Sequence, residues 1–418
     1  MKSFSFIHTA DLHLDSPFSG LRQVDGEIAD LLKDATFRAF DNVVELALKN
    51  KVDFILVAGD VYDAADRSLR AQLKFADGLK KLAVAGIRSF VCHGNHDPLD
   101  GWSASLHWPE EVHIFGPQLE SVLISIGEEE VVVIHGISYP HNQIDDSFGR
   151  GFKRQGSQPF QVGLFHCSVG SDPAHEIYAP RTQEELLAAN LDYWALGHVH
   201  RHRVLKDGHP FITYPGTTQG RHIRETGPRG CLLVQVSGSG EVSARFEPVD
   251  AARWFSRELR IDGMETEGEL IAALEGLCDE IRSDAQGRPA IVRVILSGRG
   301  SLHPVLRRPH IVEDLTTGLR EMGLESVPQV WLEQIKIETD PEIDLPSRRK
   351  SPDFVGEVLR LIENSRRQPI DLQGMISGLY EDRRGRLFLQ APDKEELLQL
   401  LNEVELMCVD ELVTEESE

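Results

Sequence analysis

Three short apolar runs punctuate the first hundred residues, at 4–9, 53–58 and 88–92, and each stops at a polar cluster. Between them, residues 27–49 and 68–85 carry apolar side chains at helical spacing, with Ile28, Leu31, Leu32, Ala35, Ala39 and Val43 marking the first face. The pattern predicts strand, helix, strand, helix, strand, the signature of a mostly parallel sheet covered by helices. Ligands of such sheets gather at the carboxyl ends of the strands. The polar clusters lie at those ends: Asp11-Leu12-His13, then Gly59-Asp60-Val61-Tyr62-Asp63, then Gly94-Asn95-His96-Asp97.

The pattern then changes. Residues 122–126 and 131–135 flank a Gly-Glu-Glu-Glu turn and predict a hairpin. Residues 143–159 read as a polar loop. Residues 162–165 predict a strand ending at His166, and 193–196 one ending at Gly197-His198-Val199-His200. Between these two strands, Thr182 and Glu185 form a capping-box pattern that opens a short helix over 182–189. Several short strands follow, to about residue 246. A first domain is therefore placed at residues 1–248.

Residues 253–340 alternate strand-like and helix-like runs and predict a small α+β capping domain. Residues 341–352 have the Pro-rich composition of a linker. Residues 353–418 return to helical spacing and predict a helical tail, strongly acidic, with 16 acidic against 7 basic residues over 351–418.

Composition narrows the classes. No apolar run reaches the roughly 18 residues that suggest a membrane span. Five scattered cysteines without CxxC spacing exclude a thiolate zinc cluster and suit a reducing cytoplasm. A net charge of -23 argues against a broad basic surface for nucleic acid. It leaves room for a nuclease whose metal ions supply the positive charge at the scissile phosphate.

Each polar cluster alone is weak, because a Gly-Asp or a strand-end His is usually a turn or a satisfied core residue. The ordered set is specific: Asp11-x-His13, Gly59-Asp60-x-x-Asp63, Gly94-Asn95-His96-Asp97, His166, Gly197-His198-x-His200. It resembles the calcineurin-like metallophosphoesterase family over residues 1–246. Within that family the chain resembles the bacterial SbcD/YhaO type of DNA exonuclease subunit. The stretches that carry this are residues 7–13, residues 59–63 and Tyr214-Pro215-Gly216-Thr217-Thr218-Gln219-Gly220-Arg221, with the small domain and helical tail beyond.

The resemblance implies an α/β fold, a metallophosphoesterase β-sandwich flanked by helices. It implies two divalent metal ions. One would take Asp11, His13, Asp60 and His200; the other would take Asp60, Asn95, His166 and His198. Oxygen and imidazole donors without thiolate suit Mn²⁺ better than a structural zinc. His96 would stabilise the transition state and protonate the leaving oxygen, and Asp97 would orient His96. Asp63 is read as a cap for the helix that follows, without a catalytic role. His93, His202 and His222 read as residues at the rim of the site or behind its ligands.

DNA is the implied substrate, and Arg221, Arg224 and His222 are the candidate substrate contacts. Further basic candidates for phosphate contacts are Arg150, Lys153, Arg154, Arg201, Arg203, Arg229, Arg307 and Arg308. The chain lacks a phosphate-binding Gly-x-x-x-x-Gly-Lys-Ser/Thr loop. The resemblance implies a separate coiled-coil SMC-type ATPase docked on the helical tail, and a homodimer formed through residues 68–85 or the loop after Asp97. The alternative is a phosphatase or phosphodiesterase acting on a small or protein-bound phosphoester with the same metals. A third reading, a non-catalytic assembly subunit, is disfavoured by the complete ligand set and His96.

Overall fold

The computed structural model describes residues 1–18, 32–63, 68–127, 129–142, 144, 148–156, 160–170, 178–342, 345–367, 374, 376–378, 380 and 392–414. Its strands are β1 (Phe4–Thr9), β2 (Phe54–Ala58), β3 (Arg88–Cys92), β4 (Val112–Ile114), β5 (Glu120–Ile126), β6 (Glu129–Gly136), β7 (Gln161–His166), β8 (Tyr193–Gly197), β9 (Arg203–Lys206), β10 (Phe211–Tyr214), β11 (Gly230–Val236) and β12 (Val242–Pro248). They form two six-stranded mixed sheets, ordered β12-β11-β1-β2-β3-β4 and β5-β6-β7-β8-β10-β9. β1 to β4 run parallel, as do β6, β7, β8 and β10. This is the α/β sandwich that the sequence implies.

The two-residue period of a strand explains why the runs are apolar throughout. Phe54, Leu56 and Ala58 of β2 face the second sheet with Phe6, Phe90, Val162, Leu164 and Tyr193. Ile55 and Val57 face the other way, into helices α1 (Ala35–Asn50) and α2 (Leu69–Val84). Phe6 stacks on Phe54 at 4.9 Å and meets Tyr193 of the opposite sheet edge-on at 5.2 Å. Helix α3 (Gln183–Ala188) opens with the expected capping box, Thr182 with Glu185, and covers the outer face of the second sheet through Leu186.

Two elements of the first 250 residues differ from the sequence reading. The helix expected over 27–49 is α1, which starts at Ala35; residues 27–31 lie outside the described ones. β4 was not foreseen: its three residues are only partly buried and show no periodicity.

The chain divides into two compact units, one of residues 1–259, 268–296 and 308–337, the other of 260–267, 297–307 and 338–418. Strands β13 (Arg253–Arg260), β14 (Ala290–Gly300) and β15 (Val330–Pro341) form a three-stranded sheet in that order. Helices α4 (Glu267–Asp284), α5 (His303–Leu306) and α6 (Pro309–Glu325) accompany it. In the first unit the entry to β13 is tied down. Asp250, fully buried, pairs with both Nε and Nη2 of Arg253 at 2.8 and 3.0 Å, and with Arg288 at 3.2 Å. The Gln219 amide donates to Ala252 O and accepts from Ala251 N, while Trp254 Nε1 donates to Gly220 O.

In the second unit a helical turn, α7 (Leu345–Arg348), stands inside the stretch read as a linker. Helices α8 (Phe354–Arg367) and α9 (Lys394–Thr414) then share a small core of Val355, Leu359, Ile362 and Leu397. Glu405, buried, accepts from Arg349 and Arg366.

Candidate metal centre

Register brings the polar clusters level. Thr9 pairs with Val57, and Ala58 with Cys92, so the chain leaves all three strands of the first sheet at one edge. In the second sheet His166 pairs with Gly197. The two edges meet where His166 Nδ1 donates to Ala58 O at 2.9 Å. Beyond the strands, Asp11 N donates to Gly59 O and His13 N to Asp60 O, both at 3.1 Å.

The backbone is forced at this edge. Asp11, His13, Asp60 and His198 have φ of 51°, 43°, 50° and 108°. Such conformations are costly for non-glycine residues and cluster at functional sites. Gly94 must be glycine, because a Cβ there would run into Asp60 and the His166 ring.

The donor atoms converge. His13 Nε2 lies 3.1 Å from His200 Nε2, and His200 Nε2 lies 3.8 Å from Asp11 Oδ1. Asp60 Oδ2 lies 3.3 Å from His166 Nε2 and 4.0 Å from His13 Nε2, between the two groups. Asp60 Oδ1 accepts from His96 N. One oxygen of Asp60 therefore faces both groups, and the other anchors the His96 loop. Asn95 Oδ1 stands 3.0 Å from His166 Nε2. The His198 ring lies 5.3 Å from that of His166, and Asp11 accepts from His198 N. Asp11, His13, Asp60, Asn95 and His166 are buried.

At His166 and His200 the far ring nitrogens fix the tautomers. His166 donates through Nδ1 to a carbonyl, His200 Nδ1 meets Glu225 Oε1 at 2.6 Å, and His13 Nδ1 lies 2.9 Å from Asp63 Oδ1. Each Nε2 then turns a lone pair toward other acceptors. Only a proton or a cation reconciles such a set, so the residues fit a pair of divalent ions. The charge balance agrees. Burial opposes a charge on His166, but Asp60 outweighs it and lifts the imidazole to about 9. Burial likewise opposes ionisation of Glu225, yet His200 holds it down at about 2. Burial also works against the Asp60 anion, and His166 keeps it far below the usual carboxylate range.

Other expected residues fall elsewhere. Asp97 is fully buried, with Oδ2 on His93 Nδ1 and Val61 N and Oδ1 on Gly94 N. Its carboxylate braces the loop and His93, whereas the half-exposed His96 places Nδ1 3.2 Å from Asp63 O. The helix after Asp63 is capped by Ser68, whose Oγ accepts from Ala71 N, so the capping role read for Asp63 is corrected. Asp63 instead backs His13 and accepts from Ser16 and Arg221. Arg229 directs its guanidinium to the carbonyls of His200, Glu225 and Thr226. His202 stacks on Phe246 at 5.0 Å. His222 lies 3.5 Å from Glu225, and Arg224 is exposed. Glu225 was missed; its one signal was an acidic residue inside the basic run from Arg221 to Arg229.

Fold and donor set together define a phosphoesterase with a two-metal centre. The calcineurin-like phosphoesterase profile matches residues 4–202, and the profile of the metallophosphoesterase YhaO middle domain matches 254–340. The uncharacterized metallophosphoesterase YhaO of Bacillus subtilis is 32% identical over 380 residues, covering 91% of this chain and 90% of that protein. The DNA double-strand break repair protein Mre11 of Methanosarcina mazei is 28% identical over 278 residues, covering 65% of this chain and 42% of that protein. A component of the nuclease SbcCD of Bacillus subtilis is 26% identical over 269 residues, covering 56% of this chain and 66% of that protein. The chain belongs to the calcineurin-like metallophosphoesterase family and is a metal-dependent phosphoester hydrolase.

Proposed function

We propose that this chain is the Mn²⁺-dependent DNA nuclease subunit of a repair complex, working with a coiled-coil SMC-type ATPase. The carrying observation is the convergence of the Asp11, His13, Asp60, Asn95, His166 and His200 donor atoms beside a half-exposed His96. Two of the relatives, a double-strand break repair protein and a component of a nuclease, support the substrate class.

The divalent ions, when bound, supply Lewis acidity at the phosphoryl oxygens and acidify the attacking water. The protein residues do the rest. In this reading Asp11, His13, Asp60 and His200 hold one ion, and Asp60, Asn95, His166 and His198 the other. In its charged form the His96 ring carries two protons. Nδ1–H donates a hydrogen bond to Asp63 O, which orients the ring and leaves Nε2–H for the departing sugar oxygen. Arg224 and His222 are the candidate substrate contacts at the rim, while Arg221 is turned inward onto Ser16 and Asp63.

Exposed apolar residues recur at helical spacing on the tail, Phe354 and Leu361 on α8 and Leu400, Val404 and Met407 on α9. They support partner docking there. Leu69 and Leu73 on α2 are exposed, and α2 is bonded through Gln72 to the loop that carries the exposed Trp102, which supports a homodimer through this face. Among the described residues no helix is long and apolar enough to cross a membrane. Five free cysteines support a reducing cytoplasm as the site of action.

A specific observation favours the phosphatase alternative. Arg221 and Arg229, two of the cations near the ligands in sequence, are engaged within the protein, which leaves the exposed Arg201, Arg203 and Arg224 as the fixed positive charge there for a polyanion. Mn²⁺ with end-labelled duplex DNA, beside mono- and diester chromogenic substrates and a His96→Ala control, separates the readings. Release of labelled nucleotides that His96→Ala loses supports the nuclease. Turnover of the monoester alone supports the phosphatase.

A further inference from the structure

The two halves of the centre are supported differently. On one side, His13 Nδ1 lies 2.9 Å from the carboxylate of Asp63 and His200 Nδ1 lies 2.6 Å from that of Glu225. One residue holds both carboxylates. Arg221 Nη1 donates to Asp63 Oδ1 at 2.8 Å, and its backbone N donates to Glu225 Oε2 at 2.7 Å. Ser16 completes the clamp: its Oγ donates to Asp63 Oδ2 at 2.8 Å and accepts from Arg221 Nη1 at 2.6 Å. The Arg221 side chain is only 11% exposed, so this is a built-in brace. On the other side, His166 is backed by the neutral carbonyl of Ala58, and Asn95 is a neutral amide.

The ligand charges differ as well. The His13–His200 side owns the Asp11 carboxylate and shares Asp60, with Asp63 and Glu225 behind. The Asn95–His166 side shares Asp60, and although Asp11 lies close enough to group with Asp60 and His166, among the described residues no carboxylate stands behind His166, whose Nδ1 meets the Ala58 carbonyl. A carboxylate behind a ligating imidazole fixes its tautomer and orientation and raises its basicity, and its loss typically costs about 10–100-fold in metal affinity.

We propose that Asp63, Arg221 and Glu225 are positioning residues that make the Asp11–His13–His200 side the tight, first-filled metal position. The Asn95–His166–His198 side is then the weaker position, which exchanges its ion. The inference rests on the ligand assignment proposed above, and it assigns Arg221 to the metal centre rather than to substrate phosphate.

The test titrates the full chain, stripped of metal by a chelator, with MnCl₂, read by calorimetry and by the Mn²⁺ electron paramagnetic resonance signal. The wild type shows two unequal steps. Glu225→Gln and Asp63→Asn each weaken the tighter step by about 10–100-fold and leave the weaker one in place. Arg221→Ala does the same, and Arg221→Lys recovers part of the loss. His166→Ala, the control, removes the weaker step alone. Thermal melting of each variant in chelator confirms that it is folded. Two equal steps in the wild type would overturn the inference, as would losses that fall on the weaker step or on neither. A wild-type chain that binds no Mn²⁺ would overturn the ligand assignment itself.

Discussion

At the scale of single residues, the centre works by setting charges against one another at short range. The first consequence concerns protons. The ordinary histidine value is 6.5, and Asp60 lifts that of His166 to about 9 in the metal-free protein despite burial. A raised imidazole contributes stability that is complete below about pH 6.5 and is lost as pH rises through about 9. Across that window the metal-free protein loses about 3 kcal/mol from this group. The bound ion replaces the same proton, so Mn²⁺ affinity climbs roughly tenfold per pH unit up to about 9. Melting temperatures in chelator, and calorimetric Mn²⁺ affinities, measured from pH 6.5 to 9 should move in opposite directions. The second consequence separates binding from chemistry. Asp60→Ala removes the oxygen that lies between both groups and abolishes Mn²⁺ binding. His96→Ala leaves binding near wild type and lowers turnover by about 10²–10⁴-fold. Most of the candidate ligands were legible as residues, because each follows an apolar strand. Glu225 was not, and Asp63 was singled out without its role, because a carboxylate that serves a histidine from another strand leaves no local pattern. Asp97 was misread for a related reason: adjacency to His96 in sequence does not decide which ring its carboxylate faces, and it faces His93.

At the scale of elements, strands were the most legible. A strand buried on both faces reads as an uninterrupted apolar run, and β1, β2, β3, β7 and β8 each have one. β4 did not announce itself, since pairing to β3 at a sheet edge demands little of its side chains. How the strand ends converge was also beyond periodicity, because it depends on close approach. A Cβ at Gly94 would displace Asp60 and His166, neither of which can retreat from its partners. Gly94→Ala therefore keeps the sandwich but loses at least tenfold in Mn²⁺ affinity. Circular dichroism at the wild-type level together with weakened Mn²⁺ binding would bear this out; unchanged binding would sink it. The junction before β13 carries a different load. Asp250 neutralises Arg253 and Arg288 in a buried setting, so Asp250→Ala leaves two cations without their carboxylate. Breaking a buried pair of this kind costs about 3–5 kcal/mol. Urea unfolding should show a loss of that size, and a loss below about 1 kcal/mol would show that the junction yields.

At the scale of the whole molecule, an acidic protein has to approach a polyanion. The net charge is -23, and of the arginines close to the centre in sequence Arg221 and Arg229 hold Asp63 and the backbone in place, while Arg201, Arg203 and Arg224 are exposed. Affinity for duplex DNA normally comes from phosphates neutralised by free Lys and Arg, and each such contact steepens the fall of affinity with salt. Those three exposed arginines are few against the net charge, which implies a shallow salt slope and weak binding by this chain alone. The metal ions can carry attraction at the scissile phosphate but cannot grip the flanking duplex. In the proposed reading the grip comes from a partner, and the exposed apolar residues Leu400, Val404 and Met407 on α9 are the surface proposed for it. If that proposal holds, replacing Val404 and Met407 by Asp leaves hydrolysis of a small phosphodiester unchanged while abolishing stimulation of DNA cleavage by the proposed ATPase partner. Binding of the chain alone to labelled duplex, followed from 50 to 200 mM salt, should fall by less than about tenfold, against the 10³–10⁵-fold of a protein that makes six to ten phosphate contacts. A steep slope would place a basic surface on this chain and remove the need for the partner's grip.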